Sequence, residues 1–225
     1  MSRDDGEPKD VSRRKYLTVA GGLTATVGLS GCLDLITGGT TEFDASPSRV
    51  NESALDETGY EFTGLDEVVI EREFEAAGET ETVIVTNLLA EHEKALGVEG
   101  VAEQAAAIFT SLTTPQVRVL GQEFNPVDEM STTELAEMVQ DQYDGIENIR
   151  HQEDSEVTVY GETTTQSRFT ADALAEGSPV DLILHISEAV EMGDDFVVAI
   201  GGYPDVVMDE EANILTLMEG VEPAD

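Results

Sequence analysis

The spacing of apolar positions marks out the elements of this chain from residue 42 onward. Val68, Ile70 and Phe74 alternate with polar neighbours, Ala77-Gly78-Glu79 supplies a turn, and alternation resumes over 80–90. That pattern predicts a hairpin of long strands. Val101, Ala105, Ile108, Phe109 and Leu112 recur at helical spacing and Pro115 follows, which predicts a helix. Residues 117–124 read as a strand that Phe124-Asn125-Pro126 ends, because the residue before proline stays extended. Ser131-Thr132-Thr133-Glu134 has the capping-box pattern and opens a helix striped by Leu135, Met138, Val139 and Tyr143. Four strands follow, over 157–160, 163–175, 180–190 and 196–201, with turns at Gly161, Gly177 and Gly193 that make them antiparallel neighbours. A last helix is predicted over 206–219. Asp209, Glu210 and Glu211 suit its positive N-terminus, Ile214, Leu217, Met218 and Val221 form its stripe, and Gly220 marks its end. The order is hairpin, helices, four-strand meander and final helix. It predicts an α+β fold, an antiparallel sheet covered by helices, as one domain over 42–225.

A different kind of sequence precedes that domain. Arg13, Arg14 and Lys15 stand before an apolar run over 17–29 that Gly21, Gly22 and Gly28 interrupt. A spanning helix needs about 20 mostly apolar residues. This run is shorter and fits the core of a signal peptide better than a stop-transfer span, with an uncleaved anchor as the alternative. Residues 12–17, SRRKYL, resemble the twin-arginine export signal, with Tyr16 where that pattern has Phe. Leu29-Ser30-Gly31-Cys32 resembles a lipobox, in which small residues admit a peptidase and the cysteine carries the lipid. The two resemblances imply a cleaved signal peptide over 1–31 and a lipidated Cys32. A flexible Gly/Thr linker over 32–41 follows, and the domain stands on the outer face of the cell membrane. Cys32 is the only cysteine, so no intramolecular disulfide forms. Asn51-Glu52-Ser53 is a candidate glycosylation sequon; equally, Asn51 caps a helix over 52–58, and both hold only if its side chain is free.

Charge narrows the setting. The net charge is −37. Five of the 11 Lys and Arg (Arg3, Lys9, Arg13, Arg14, Lys15) precede the apolar run, so a chain cut before Cys32 keeps six against 44 acids, with Lys94 its only lysine. Self-repulsion of this size opposes compaction. Salt removes the objection, because the Debye length falls to about 3 Å at 1 M. With 40% of residues hydrophobic and periodically placed, the chain reads as an ordinary core under a carboxylate shell suited to strong salt. Nucleic acid is excluded as a partner for want of clustered cations. Weak association of cations with the acidic surface is expected.

Candidate chemistry is sparse. No nucleophile elbow, paired-histidine zinc motif, phosphate loop or calcium loop occurs, and neither a cofactor, a catalytic residue nor a metal site is assigned. Glu91-His92-Glu93 falls on a strand, where His92 faces away from both glutamates. His185 lies on the strand face opposite Leu182, Leu184 and Ile186. Gly201-Gly202-Tyr203-Pro204 either redirects the chain into the last helix or forms a pocket rim carrying Tyr203, with His185 as its companion.

The element order looks like the PsbP-like group of folds. At residue level, FDASPSRV, ETGYEF, TTPQVRVLGQEFNP, YDGI, VDLILHISEAV and DDFVVAIGGYP resemble a family of haloarchaeal lipoproteins whose domain has no assigned function. That resemblance implies export, a lipid anchor and a halophilic host. Two function classes stand. One is a non-enzymatic binding or assembly module for a surface protein or small ligand, tethered to the membrane through Cys32. The other is an extracytoplasmic hydrolase of the carboxylate-pair glycosidase type, whose acid and base are hidden among the many carboxylates.

Overall fold

A computed structural model describes residues 40–76, 79–96, 106–119, 122–123, 126–142, 145–175, 178–207 and 209–224, all within one compact unit, Ile36–Asp225. The elements run β1 (Thr40–Asp44), β2 (Ser48–Val50), α1 (Glu52–Thr58), β3 (Glu61–Ala76), β4 (Glu79–Ala95), β5 (Ala106–Pro115), β6 (Arg118–Val119) and β7 (Gln122–Glu123). They continue α2 (Pro126–Glu129), α3 (Thr132–Gln142), β8 (Ile146–Val159), β9 (Glu162–Ala175), β10 (Ser178–Ser187), β11 (Val190–Met192), β12 (Asp195–Pro204), α4 (Glu210–Glu219) and β13 (Val221–Pro223). One nine-stranded sheet takes the order β1-β4-β5-β12-β10-β9-β8, with β3 on the other side of β4 and β11 beside β12. Every pairing in it is antiparallel except β1 with β4.

The protein is therefore mostly β, built on a large mixed sheet with few helices. This corrects the expected α+β fold with a helix-covered sheet, and the PsbP-like architecture with it. Three misread segments account for the difference. The helix expected over 101–112 is strand β5 in its described part, 106–115. Phe109, Thr110 and Ser111 are buried in succession because β5 is interior and covered on both faces, which erases the period-two alternation. Its β-branched Ile108, Thr110, Thr113 and Thr114 are the better signal. The strand expected over 157–160 begins at Ile146. Its added residues are almost all exposed and polar, as on a sheet edge, so they carry no apolar pattern. The single strand expected over 117–124 is the small β6–β7 hairpin. β1, which opens at Thr40, occupies the end of the stretch read as a tether. Tyr143 and the turn residues Ala77, Gly78 and Gly177 lie outside the described residues.

Other local signals act as their chemistry requires. Asn51 Oδ1 accepts the Ala54 N–H at 3.0 Å and caps α1. Ser131 N–H donates to Glu134 Oε2 at 2.9 Å, and Glu134 N–H to Ser131 Oγ at 3.4 Å, closing the capping box of α3.

Among the described residues two main cores flank the sheet, and a small third cluster gathers Val83 and Val117 with Phe43 and Val85. On one face α4 and α1 enclose Phe109, Val159, Ile183, Val197, Ile214, Leu217 and Met218. On the other, Leu135, Ala136 and Val139 of α3 meet Phe169, Leu184, Ile186 and Val198. Strand β10 serves both, sending Ile183 and His185 one way and Leu184 and Ile186 the other. Gly201 explains how α4 lies so close to β12. A Cβ there would sit 2.5 Å from Ile214 Cγ2, and Ile214 is fully buried. Gly202 faces the other core, 3.1 Å from Leu184 Cδ2 by the same measure. The paired glycines are thus a seat for a helix. Among the described residues no helix is long and apolar enough to cross a membrane.

Candidate functional site

His185 and Tyr203, singled out together from the sequence, are bonded neighbours. His185 on β10 pairs with Arg168 of β9 on one side and Gly201 of β12 on the other, and Tyr203 extends two residues past Gly201 on the same face. The imidazole Nδ1–H donates to Gln166 Oε1 at 3.1 Å, and the Tyr203 hydroxyl donates to Nε2 at 3.2 Å. The carbonyl oxygen of Gln166 can only accept, which sets the tautomer. The rings stack with centroids 5.7 Å apart. Gln166 is held in turn by a 2.6 Å bond from Nε2–H to Ser155 Oγ. His185 is fully buried and Tyr203 nearly so, which places them beneath α4 and away from solvent.

Burial, then the Arg168 guanidinium, lowers the His185 pKa to about 4. Burial, then the Glu211 carboxylate, pushes Tyr203 up to about 12, with Arg168 pulling the other way. At neutral pH the histidine is neutral and the phenol protonated. The lone pair that would make His185 a base is already occupied by the Tyr203 proton.

A second polar cluster adjoins it under the start of α4. Lys94 Nζ donates to both Glu210 oxygens, at 3.1 and 3.2 Å, and lies 5.7 Å from the Tyr60 ring centroid. Asn213 Nδ2 adds a 3.1 Å bond to the same carboxylate. Glu210 is 4% exposed. Burial first, and Glu210 second, hold the Tyr60 phenol well above its usual value. Arg168 Nε stands 4.0 Å from Glu211 Oε2 at the boundary of the two clusters. The sequence does not mark Lys94, Glu210, Gln166 or Arg168 as part of a site. The one legible signal was that Lys94 is the only lysine after Cys32.

On the opposite face, His151, Asp154, Ser167 and Thr132 form a chain. His151 Nε2–H and the Ser167 hydroxyl both donate to Asp154 Oδ1, each at 2.6 Å, and Thr132 Oγ1 lies 2.6 Å from Ser167 Oγ. The Ser167 bond, then that of His151, lowers the Asp154 pKa. This holds the residue types of a hydrolytic triad in the wrong order. The histidine does not touch the serine, so it cannot take its proton. The described buried carboxylates, Asp195 and Glu210, serve separate bonds, Asp195 accepting the Ser46 N–H at 3.0 Å. Among the described residues no three His, Cys, Asp or Glu side chains gather to hold a metal ion.

The other sequence candidates stand apart from these clusters. Asn51 Nδ2 donates to the Gly220 carbonyl at 3.1 Å while Oδ1 caps α1, so both ends of its amide are engaged. His92 is fully buried between Phe62 and Phe109, facing away from Glu91 and Glu93; its ring nitrogens have no well-formed hydrogen bond among the described residues, and burial, partly offset by the Phe109 and Ala90 backbone, lowers its pKa. Arg13, Arg14, Leu29, Ser30, Gly31 and Cys32 lie outside the described residues.

A surface feature escaped the sequence reading altogether. β3 is an edge strand, paired with β4 alone among the described residues. Between Glu61 and Glu73 its side chains are exposed except at Gly64 and Val68. The exposed set includes Phe62, Leu65, Val69 and Ile70, at 54%, 45%, 59% and 40%. Sequence alternation marks a strand but does not say which strand lies at an edge.

Neither the curated proteins nor the solved structures yield a match to the chain. A family model described as "Domain of unknown function (DUF6517)" matches residues 47–222, from the turn before β2 to the last strand. That span takes in the sheet except β1, both cores and the polar clusters, and the chain belongs to this family of uncharacterised domains.

Proposed function

We propose that the chain is an exported, lipid-anchored protein of the outer membrane face, whose domain binds or assembles with another surface component and catalyses no reaction. The observation that carries this is a contrast. Groups with chemical potential, His185, Tyr203, Ser167 and Glu210, are buried and committed to one another or to neighbours. Four of the seven large apolar side chains that face solvent among the described residues, Phe62, Leu65, Val69 and Ile70, stand on one edge strand. That is the distribution of a recognition surface. Arg13-Arg14 ahead of a short apolar run, and Cys32 after Leu29-Ser30-Gly31, support export and anchoring. The carboxylate-rich exterior supports weak, nonspecific association with cations.

Fractionation of producing cells tests this. The wild-type chain is expected in the membrane fraction, Cys32→Ser as an unprocessed or released form, and the Arg13→Lys, Arg14→Lys pair retained inside the cell. A Cys32→Ser chain identical to wild type in size and membrane association would overturn the anchor. Turnover of a glycoside by the purified chain would overturn the non-enzymatic role.

A further inference from the structure

We infer that the free edge of β3 is a strand-addition site for an extended segment of another protein, one whose side chains along a single face alternate apolar residues with lysine or arginine, a four-residue repeat in sequence. This rests on the binding-module reading and names its partner class.

The backbone supplies the first reason. From Gly64 to Ala76 the β3–β4 register runs without a shift, so the outer edge offers a long, regular row of peptide groups that no described strand pairs. The opposite edge of the sheet is blunted. β8 has register shifts at Glu147/Arg150 and at His151/Glu153, and Asn148 adopts φ 55 within the first. Such irregularities are how proteins close an edge to pairing. β3 lacks them beyond its first turn of pleat.

The side chains supply the second. The one shift in β3, between Phe62 and Gly64, adds a residue to the strand. It brings Phe62 onto the face that carries Leu65 and Val69; their partners are His92, Ala90 and Thr86, alternate residues of β4. Glu67 and Glu71, opposite Leu88 and Ile84, share that face. From Leu65 to Glu71 the face therefore repeats apolar and acidic positions. Main-chain bonds would provide affinity and the alternating side chains selectivity, as in strand addition generally.

Charge selects the occupant. A second copy would set the Glu67 and Glu71 row against another carboxylate row. The chain has little to offset this, since Arg49, Lys94, Arg150 and Arg168 are engaged with Glu222, Glu210, Asp172 and Glu211. Arg72 stands on β3 itself, on the other face. A basic, apolar strand meets both halves of the pattern.

The test uses the full chain in detergent and two fluorescent peptides of about ten residues, one repeating Val-Thr-Lys-Thr so that one face alternates Val with Lys, the other repeating Val-Thr-Glu-Thr. The Lys peptide is expected to bind and to slow hydrogen exchange of β3 amides. The Glu peptide is expected to bind about tenfold more weakly or worse. Val69→Lys, at an exposed position, should keep the circular dichroism spectrum and weaken Lys-peptide binding by about tenfold. Leu174→Lys, 66% exposed on β9, should leave it unchanged. Equal binding of both peptides, no binding, equal effects of the two substitutions, or unchanged β3 exchange would each overturn the proposal. So would a dimer in sedimentation that Val69→Lys dissociates, which would make a second copy the occupant. Failure here with Cys32-dependent anchoring intact removes this site alone; peptide binding by a chain that never reaches the membrane removes the anchoring reading alone.

Discussion

Replacing Lys94 should destabilise the domain well beyond the effect of an ordinary surface lysine. Exposed ion pairs contribute about 0–1 kcal/mol. Here the Glu210 carboxylate is 4% exposed, accepts both Lys94 bonds at 3.1–3.2 Å, and borders a buried phenol. Lys94→Met keeps most of the apolar stem and removes the charge, leaving Glu210 with neutral neighbours, the Asn213 amide and the Tyr60 phenol, among the described side chains. Breaking a buried pair by removing one partner costs about 3–5 kcal/mol. The Lys94 side chain retains 26% exposure, so water relieves part of that, and the lower end, about 2–3 kcal/mol, is expected. For a domain of this size that is a fall of roughly 5–10 °C in Tm. Replacing both partners, Lys94→Met with Glu210→Gln, should recover most of the loss, because no uncompensated charge remains. Urea unfolding followed by circular dichroism in molar KCl measures all four corners of the cycle, with surface repulsion screened. A single-variant loss below about 0.5 kcal/mol would refute the reasoning, as would a double variant no more stable than Lys94→Met.

Gly201→Ala should cost about 1–3 kcal/mol, because the new Cβ meets three atoms of the buried Ile214 side chain at 2.5–3.1 Å; an unchanged urea midpoint would count against the helix-seat role. Stability should fall as pH drops from about 6.5 towards 4. His185 has a depressed folded pKa, so its contribution is fully present above 6.5, and below that the unfolded chain takes up a proton the fold refuses. His185→Gln should flatten that part of the pH profile, and an identical profile would exclude His185 as its source. His92→Leu should leave stability unchanged or raise it by about 1 kcal/mol, since it removes ring nitrogens that have no well-formed bond among the described residues; a clear loss would show that His92 has a bond there.

Much of the local order was legible in the residues. Capping at Asn51 and Ser131, the turns at Gly161 and Gly193, and the stripe of α4 follow from short-range rules, since backbone donors must be satisfied within a few residues. The kinship of His185 and Tyr203 was legible in part, because both were unusual on otherwise apolar strands. Their partners Gln166 and Arg168 were not, since polar residues on β9 look alike until pairing brings one pair beneath a helix.

By itself the sequence determined the carboxylate-rich character of the chain, the run of strands in its second half, the caps and turns, and the singularity of Lys94. It did so because these depend on composition or on neighbours along the chain. Only the tertiary structure decided that 106–115 is a strand, that Lys94 neutralises Glu210, that paired glycines seat α4, and that β3 is the open edge. The reason is common to all four. Burial on both faces, ion pairing across 116 residues, close approach of a helix, and the lack of a neighbouring strand are long-range relations. Periodicity records which side of an element meets the core, but it does not record which element lies beside it.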